Sequence, residues 1–233
     1  MLIAGLALAP AASARKLTVG MNGVDVRHLQ ERLAELSYLP RSAASGAFDQ
    51  RTWHAVVAFQ GWQGMPPDGV AGPRTRRELR RATRPLPSSR RAGFEIHVRA
   101  QVLLIARNRR TTRAIHISSG AGGGTPLGQF SVYSKVPMSW SRKFKAWLPL
   151  AQYFNGGIAL HQYGSVPAYA ASHGCVRMPA EDAEVVWRAS EIGTRVSVTA
   201  DNKIVRVSAR ELRKRARDRH ARTLARVLSV MSL

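Results

Sequence analysis

The sequence predicts an α+β protein of two domains, a small three-helix domain followed by a mainly-β domain. Apolar residues recur at helical spacing over residues 24–36 and 52–60, and a third short helix is expected over residues 74–81. From residue 94 onward, short apolar runs bounded by turn residues replace that pattern and predict strands. The 233 residues suffice for two modest domains, the larger with a real core.

The predicted helices lie within residues 16–82. Asp25 is expected as the N-cap or first-turn acid of the first helix, which follows a glycine turn. We expect its apolar side to form core: Val24, Val26, Leu29, Leu33 and Leu36. Residues 83–92 are rich in proline and serine and are expected to form a linker. Strands predicted over residues 94–98, 102–106 and 113–118 then open a domain of residues 93–200.

The two ends of the chain differ from both domains. Residues 1–14 form an apolar stretch that ends in Ala12-Ser13-Ala14, which is typical of a secretory signal although the positive charges that usually precede it are missing. The stretch is shorter than the roughly 18–20 residues of a membrane span, so an anchor is the less favoured interpretation. Residues 201–233 form an arginine-rich tail. Three interpretations fit this tail: a disordered segment, a helix on a membrane surface, or a helix that binds a polymer.

The chain is strongly basic, with 36 Lys and Arg against 14 Asp and Glu and a net charge of +22. Codon bias toward arginine is one interpretation, and attraction to a polyanion is the other. Nucleic acid is disfavoured as that polyanion, because no nucleic-acid recognition motif is present and the N-terminal segment indicates secretion.

Cys175 is the only cysteine of the chain and lies in the segment Ser-His-Gly-Cys-Val-Arg. A single cysteine forms no internal disulfide and is too little sulfur for a cysteine-rich zinc site, which leaves a nucleophile or a buried filler. His161 and His173 flank it in the sequence, and either is a candidate base on the residues alone. The amides of His173, Gly174 and Cys175 are candidate oxyanion donors. A helix expected just after residue 178 would favour the thiolate.

At these residues the chain resembles the L,D-transpeptidases of bacterial cell walls, with their YkuD-type catalytic domain. The resemblance covers roughly residues 94–200. It includes Ser-x-Gly before residue 121, Thr-Pro-x-Gly-x-Phe at residues 125–130, and an apolar strand running into His161. It implies a mainly-β, sandwich-like domain in which Cys175 is the nucleophile and His161 the base, oriented by a backbone carbonyl. His173 and Gly174 then contribute the loop beside the thiol. The loop between His161 and Ser172 is shorter than in many members, which affects the shape of the cleft.

The resemblance also suggests substrate contacts. Arg177 is expected to bind a carboxylate of the stem peptide, since a planar guanidinium suits that group. Ser172, Tyr153 and Tyr163 are further candidates for substrate binding. For the two tyrosines, and for Trp140, ordinary packing is the competing interpretation.

Residues 16–82 resemble the small three-helix peptidoglycan-binding domain. The motifs Val-x-x-Leu-Gln-x-x-Leu, Ala-Val-x-x-Phe-Gln and Asp-Gly-x-x-Gly-Pro-x-Thr occur in that order at residues 26–33, 55–60 and 68–75. The resemblance implies a wall-binding module, which we expect to act as a tether that raises local substrate concentration. Gln60 and Trp62 are candidate ligand contacts, with a structural role as the alternative.

Together these resemblances imply a secreted L,D-transpeptidase of the cell wall or periplasmic space that forms 3→3 cross-links through a cysteine acyl-enzyme. No metal or organic cofactor is expected. The implied partners are peptidoglycan stem peptides and glycan, with anionic wall polymers as a further option and carbapenem β-lactams as inhibitors. An L,D-carboxypeptidase that trims tetrapeptide stems and a non-catalytic wall-binding protein are the alternatives.

Overall fold

A computed structural model describes residues 15–200. The predicted signal segment, residues 1–14, and the basic tail, residues 201–233, lie outside the described residues. Three helices come first in the chain: α1 (Val24–Glu35), α2 (Gln50–Trp62) and α3 (Pro73–Arg81). Within the described range, no helix has both the length and the apolar character required to cross a bilayer.

The helical domain agrees with the predicted pattern except at Val24, and the first-turn alternative is correct for Asp25. Val24 is 68% exposed rather than core, because it occupies the first turn of α1 before the buried face begins at Val26. Gly23 is the N-cap of α1, so Asp25 serves as the first-turn acid and pairs with Arg15 at 2.8 Å. The buried face of α1 packs against α2 and α3.

Gln60 and Trp62 have structural places in this domain. Gln60 is buried: its amide nitrogen donates to Asp68 and its amide oxygen accepts from the Gly69 N–H at 2.8 Å, so it fixes the loop before α3. Trp62 is 1% exposed and its ring meets that of His97 edge-on, with centroids 4.8 Å apart. Neither side chain is available to a ligand, and the structural alternative is correct for both.

The second domain is built of two sheets. The first sheet has the order β3-β2-β1-β9-β4 and the second has the order β5-β6-β7-β8. The strands are β1 (Gly93–His97), β2 (Val102–Arg107), β3 (Arg110–His116), β4 (Gly128–Ser131), β5 (Ser134–Ser141), β6 (Ala146–Asn155), β7 (Ile158–Gln162), β8 (Val176–Met178) and β9 (Arg195–Thr199), with helix α4 (Ala180–Arg188) between the last two.

The core of this domain lies between the two sheets. The first sheet contributes Phe94, Ile96 and Val196, and the second contributes Leu160 and Val176, all within one buried cluster. Two sheets that bury a common apolar layer form a sandwich. The predicted α+β class, with a helical domain followed by a mainly-β sandwich, is therefore confirmed.

Strand β2 packs against both domains, so the two domains are not independent units. Successive side chains of a strand point to opposite faces. On β2, Leu103 and Ile105 belong to the sandwich core, whereas Val102 and Leu104 belong to the same buried cluster as Leu33, Phe59 and Trp62 of the helical domain. The continuous apolar run of β2 therefore reflects a strand covered on both faces.

Polar contacts reinforce this docking. The N–H of Ala114 on β3 donates to the carbonyl of Ser37 at 2.8 Å. At Gly61, α2 approaches so closely that an added Cβ would lie 2.3 Å from the carbonyl oxygen of Ala100. The segment 83–92 contains no helix or strand, as expected of a linker, but the domains it joins share a core. The helical domain is therefore docked on the sandwich, and its expected role as a tether to the wall stays a prediction.

Candidate active site

Two adjacent parallel strands bring the candidate catalytic residues together. In the register of β7 and β8, Leu160 lies opposite Val176 and His161 opposite Arg177. Cys175 directly precedes β8 and lies two residues before Arg177, so the thiol and the imidazole lie on the same face of the sheet. Both residues line a cleft of about 430 Å³.

The hydroxyl of Ser172 holds the loop from Ser172 to Cys175 in place. Ser172 Oγ donates to the carbonyl of Cys175 and accepts from the N–H of Gly174 at 3.0 Å. The side chain is buried and both of its hydrogen-bonding roles are filled. Ser172 lies at the cleft wall, but the predicted substrate contact is replaced by a structural one.

Thr125 is a residue whose role sequence reasoning missed. Its hydroxyl accepts from the N–H of Gly120 at 2.7 Å and donates to the carbonyl of Gly174 at 2.7 Å. It thereby joins the Thr-Pro motif to the loop that carries the thiol. Its place in the Thr-Pro motif was the available signal, but the sequence did not indicate what the hydroxyl would contact.

Gly174 has φ +142°, and a Cβ built there would lie 2.9 Å from the carbonyl oxygen of Gly124. Glycine is required on both counts. Because its N–H already donates to Ser172, Gly174 does not serve as one of the three predicted oxyanion donors. Among residues 15–200, the N–H groups of His173 and Cys175 have no protein acceptor, and they remain the candidate donors.

The imidazole of His161 is oriented by a main-chain group. Its Nδ1 lies 2.7 Å from the carbonyl oxygen of Gln162, so Nδ1 carries the proton and Nε2 is left as the basic nitrogen. The predicted backbone carbonyl is present. Burial, aided by the positive charge of Arg177 and opposed by that carbonyl, lowers the pKa of His161 to about 4. The imidazole is thus neutral at neutral pH.

The thiol of Cys175 is partly buried, with Sγ 3.8 Å from the carbonyl oxygen of Gly157. Burial raises its pKa above the usual range, although a backbone hydrogen bond at Ala159 and the charge of Arg177 oppose that shift. The expected help from a helix N-terminus is absent, because β8 separates Cys175 from α4. The cleft therefore holds a neutral thiol and a neutral imidazole at neutral pH.

Arg177 and Tyr163 form one wall of the cleft. The guanidinium carbon of Arg177 lies 4.1 Å from the ring centroid of Tyr163, and that ring meets His161 edge-on at 5.9 Å. On the other side His173 is exposed, and its ring stacks on Phe144 with centroids 4.6 Å apart. Phe144 belongs to the turn between β5 and β6, which extends over the cleft and was not foreseen from the sequence.

Tyr153 and Trp140 lie outside the residues that line the cleft. The Tyr153 hydroxyl hydrogen-bonds that of Ser139 at 2.8 Å, and its ring packs near Tyr133. Trp140 pairs with Trp147 across the β5–β6 hairpin, with ring centroids 5.1 Å apart. Ordinary packing describes both side chains, and the structure does not support the predicted substrate contact of Tyr153.

A solved structure of an L,D-transpeptidase from Xylanimonas cellulosilytica is similar over 79% of this chain and 98% of its own, with 35% identity and a TM-score of 0.75. The chain belongs to the L,D-transpeptidase family. The profile of the L,D-transpeptidase catalytic domain (YkuD) matches residues 91–198, and that of a putative peptidoglycan-binding domain matches residues 22–79.

Two further relatives match all or part of the described chain. A solved structure of an L,D-transpeptidase from Stackebrandtia nassauensis is 25% identical to the present chain, with a TM-score of 0.50. The match covers 80% of the present chain and 96% of the Stackebrandtia chain. A probable N-acetylmuramoyl-L-alanine amidase of Bacillus licheniformis is 41% identical over 64 residues. The chain spans only 18% of the length of that amidase.

Proposed function

We propose that this protein forms 3→3 cross-links in peptidoglycan through a thioester on Cys175, with His161 as the general base. The observation that carries the proposal is the single cleft lined by both residues, in which the free Nε2 of His161 is the basic nitrogen. Membership of the L,D-transpeptidase family supports the same chemistry.

Acylation begins from the neutral pair. The Cys175 thiol transfers its proton to Nε2 of His161 as Sγ attacks the carbonyl carbon of the third, diaminoacyl residue of a tetrapeptide stem. The N–H groups of Cys175 and His173 stabilise the oxyanion of the tetrahedral intermediate. The carbon–nitrogen bond to D-alanine then breaks, and His161 returns the proton to the leaving amine. A thioester on Cys175 remains.

Transfer of the acyl group to the second stem follows the same pattern of attack and collapse, with an amine as the nucleophile and the thiolate as the leaving group. The side-chain amine of a second stem attacks the thioester carbonyl and gives its proton to His161. Collapse of the second tetrahedral intermediate breaks the carbon–sulfur bond, and the thiolate recovers the proton from His161. The products are the cross-linked stems and the free Cys175 thiol. Arg177, with its guanidinium over Tyr163 in the cleft wall, is proposed to bind a donor carboxylate.

The proposal places the protein outside the cytoplasmic membrane, at the cell wall or in the periplasmic space, because its substrate is there. The signal-like residues 1–14 and the match to a peptidoglycan-binding domain support this location. Stem peptides and glycan are the proposed partners. Anionic wall polymers are a further partner that the net charge of +22 favours. Carbapenems are the proposed inhibitors, acylating Cys175.

The decisive experiment incubates the purified protein with a tetrapeptide muropeptide and weighs the products by mass spectrometry. We expect a dimer lacking one D-alanine. A tripeptide alone would show transfer to water and would make the protein an L,D-carboxypeptidase. Intact substrate, from a folded protein, would support a non-catalytic wall-binding role and contradict both enzymatic assignments.

A further inference from the structure

A second groove lies next to the catalytic cleft, at the boundary between the two domains. Its volume is about 240 Å³. One wall is formed by the segment that directly follows His161 and by the first turn of α4. The other is formed by the first turn of α2, with Gln50, Arg51 and His54. Tyr163 lines both the groove and the cleft, so the two spaces are neighbours separated by one side chain.

The wall formed by α2 is fixed in place. The rest of α2, from Ala55 to Trp62, contributes to the core that the helical domain shares with β2 and β3. At the groove itself, Nδ1 of His54 lies 2.8 Å from Nδ1 of His116 on β3. A ligand in the groove would therefore meet a preformed surface with contributions from both domains.

Arg51 offers this groove a positioned guanidinium. Its Nε lies 2.6 Å from Oε2 of Glu181, the interdomain ion pair at the edge of the groove. Among the described residues, the two terminal NH₂ groups of Arg51 have no protein partner. The Nε–Oε2 contact lacks hydrogen-bond geometry, so Glu181 holds the guanidinium through charge. The two terminal groups of a guanidinium lie side by side, the arrangement that binds a carboxylate. Glu181 thus acts as a positioning residue for Arg51.

The groove lies next to the base that both amines must reach, since Gln162 and Tyr163 directly follow His161. Its boundary with the cleft is Tyr163, whose ring centroid is 5.9 Å from that of His161. The base must protonate the leaving amine and deprotonate the incoming one, so both amines occupy the space beside it. A stem that presents its amine to His161 has the rest of its length free to extend into the groove.

We propose that the interdomain groove binds the acceptor stem peptide, and that the terminal NH₂ groups of Arg51 bind one of its carboxylates. This inference rests on the proposed function. It makes the helical domain part of the acceptor site rather than only an attachment to the wall. The ligand class is an anionic peptide that carries a free side-chain amine.

The test measures how the thioester of the full-length protein divides between the amine of an acceptor stem and water, as the ratio of dimer to tripeptide. Arg51→Ala and Glu181→Ala should each lower the ratio about two- to fivefold, the effect of one partly exposed charged contact. Glu184→Ala is the matched control. It lies one turn further along α4 and pairs with Arg188 at 2.7 Å, outside the groove, so its ratio should not change.

The acceptor supplies the second arm. Stems amidated at one carboxylate at a time should include one that lowers the wild-type ratio and is no longer sensitive to Arg51→Ala. If Arg51→Ala lowers the ratio equally for every acceptor, or leaves it unchanged, the inference is wrong. If the wild type forms no dimer, the proposed function is wrong, but the inference about the groove can still be tested. Acceptor tripeptide is then titrated into Cys175→Ala, and its binding is measured by calorimetry. Binding weakened by Arg51→Ala would support the inference, and no binding, or binding insensitive to Arg51→Ala, would refute it.

Discussion

Substitution of Gly61 by alanine tests whether the two domains are packed as rigidly as the shared core implies. Within a helix, Gly→Ala ordinarily stabilises a protein by about 1 kcal/mol. At Gly61 the added Cβ would lie 2.3 Å from the carbonyl oxygen of Ala100 and 3.3 Å from its carbonyl carbon. Both partners are main-chain atoms, so no side-chain rotation relieves the contact, and the domains must separate or α2 must turn.

Overpacking of this kind costs about 1–3 kcal/mol, and two backbone segments place the site at the upper end of that range. After the gain in helix propensity, we expect the free energy of unfolding to fall by about 2 kcal/mol. For a protein of this size that corresponds to a drop in Tm of about 4–8 °C. Urea or thermal unfolding, followed by circular dichroism, measures it.

His28→Ala is the control for helix propensity, because His28 is an exposed residue of α1. The free energy of unfolding of the His28→Ala variant should differ from that of the wild type by no more than about 0.5 kcal/mol. If Gly61→Ala were as stable as the wild type or more so, α2 would not rest on Ala100, and the domains would move independently in solution.

Two further predictions concern the thiol and its base. Cys175→Ala should abolish turnover with the fold intact and should remove the single covalent carbapenem adduct seen by mass spectrometry; an adduct that persisted would disprove the assigned nucleophile. His161→Ala should slow acylation about 10²–10⁴-fold, whereas His173→Ala should cost less because its backbone amide survives, and the reverse order would exchange their roles. Since the pKa of His161 is about 4 rather than 6.5, the neutral base should be lost only as pH falls through about 4, which places the acid limb of kcat/KM there.

The sequence predicted the elements well because their patterns are local. Helical spacing located α1, α2 and α3 to within a few residues, and the apolar runs located β1, β2 and β3. The prediction that Val24 is part of the core was wrong, because periodicity identifies a face of a helix but not the turn at which burial starts. The apolar run of β2 indicated a buried strand. It did not indicate that Val102 and Leu104 are covered by a different domain from Leu103 and Ile105.

The candidate site was predictable in its residue types and less so in its contacts. Cys175 and His161 were predicted as partners, and parallel strands bring them to one cleft. The sequence did not reveal that the Ser172 hydroxyl is used within its own loop, since that depends on the turn closing on itself. Nor did it place Phe144 against His173, a contact made by residues distant in the chain.

The neutral, partly buried thiol also determines how the protein withstands oxidants. Peroxide reacts with the thiolate and only slowly with the protonated thiol. Cys175 has no second cysteine in the chain to convert a sulfenic acid into a disulfide, so each oxidation that occurs is one step from irreversible loss. Because the raised pKa of Cys175 keeps the sulfur protonated, we expect the free protein to react slowly with peroxide.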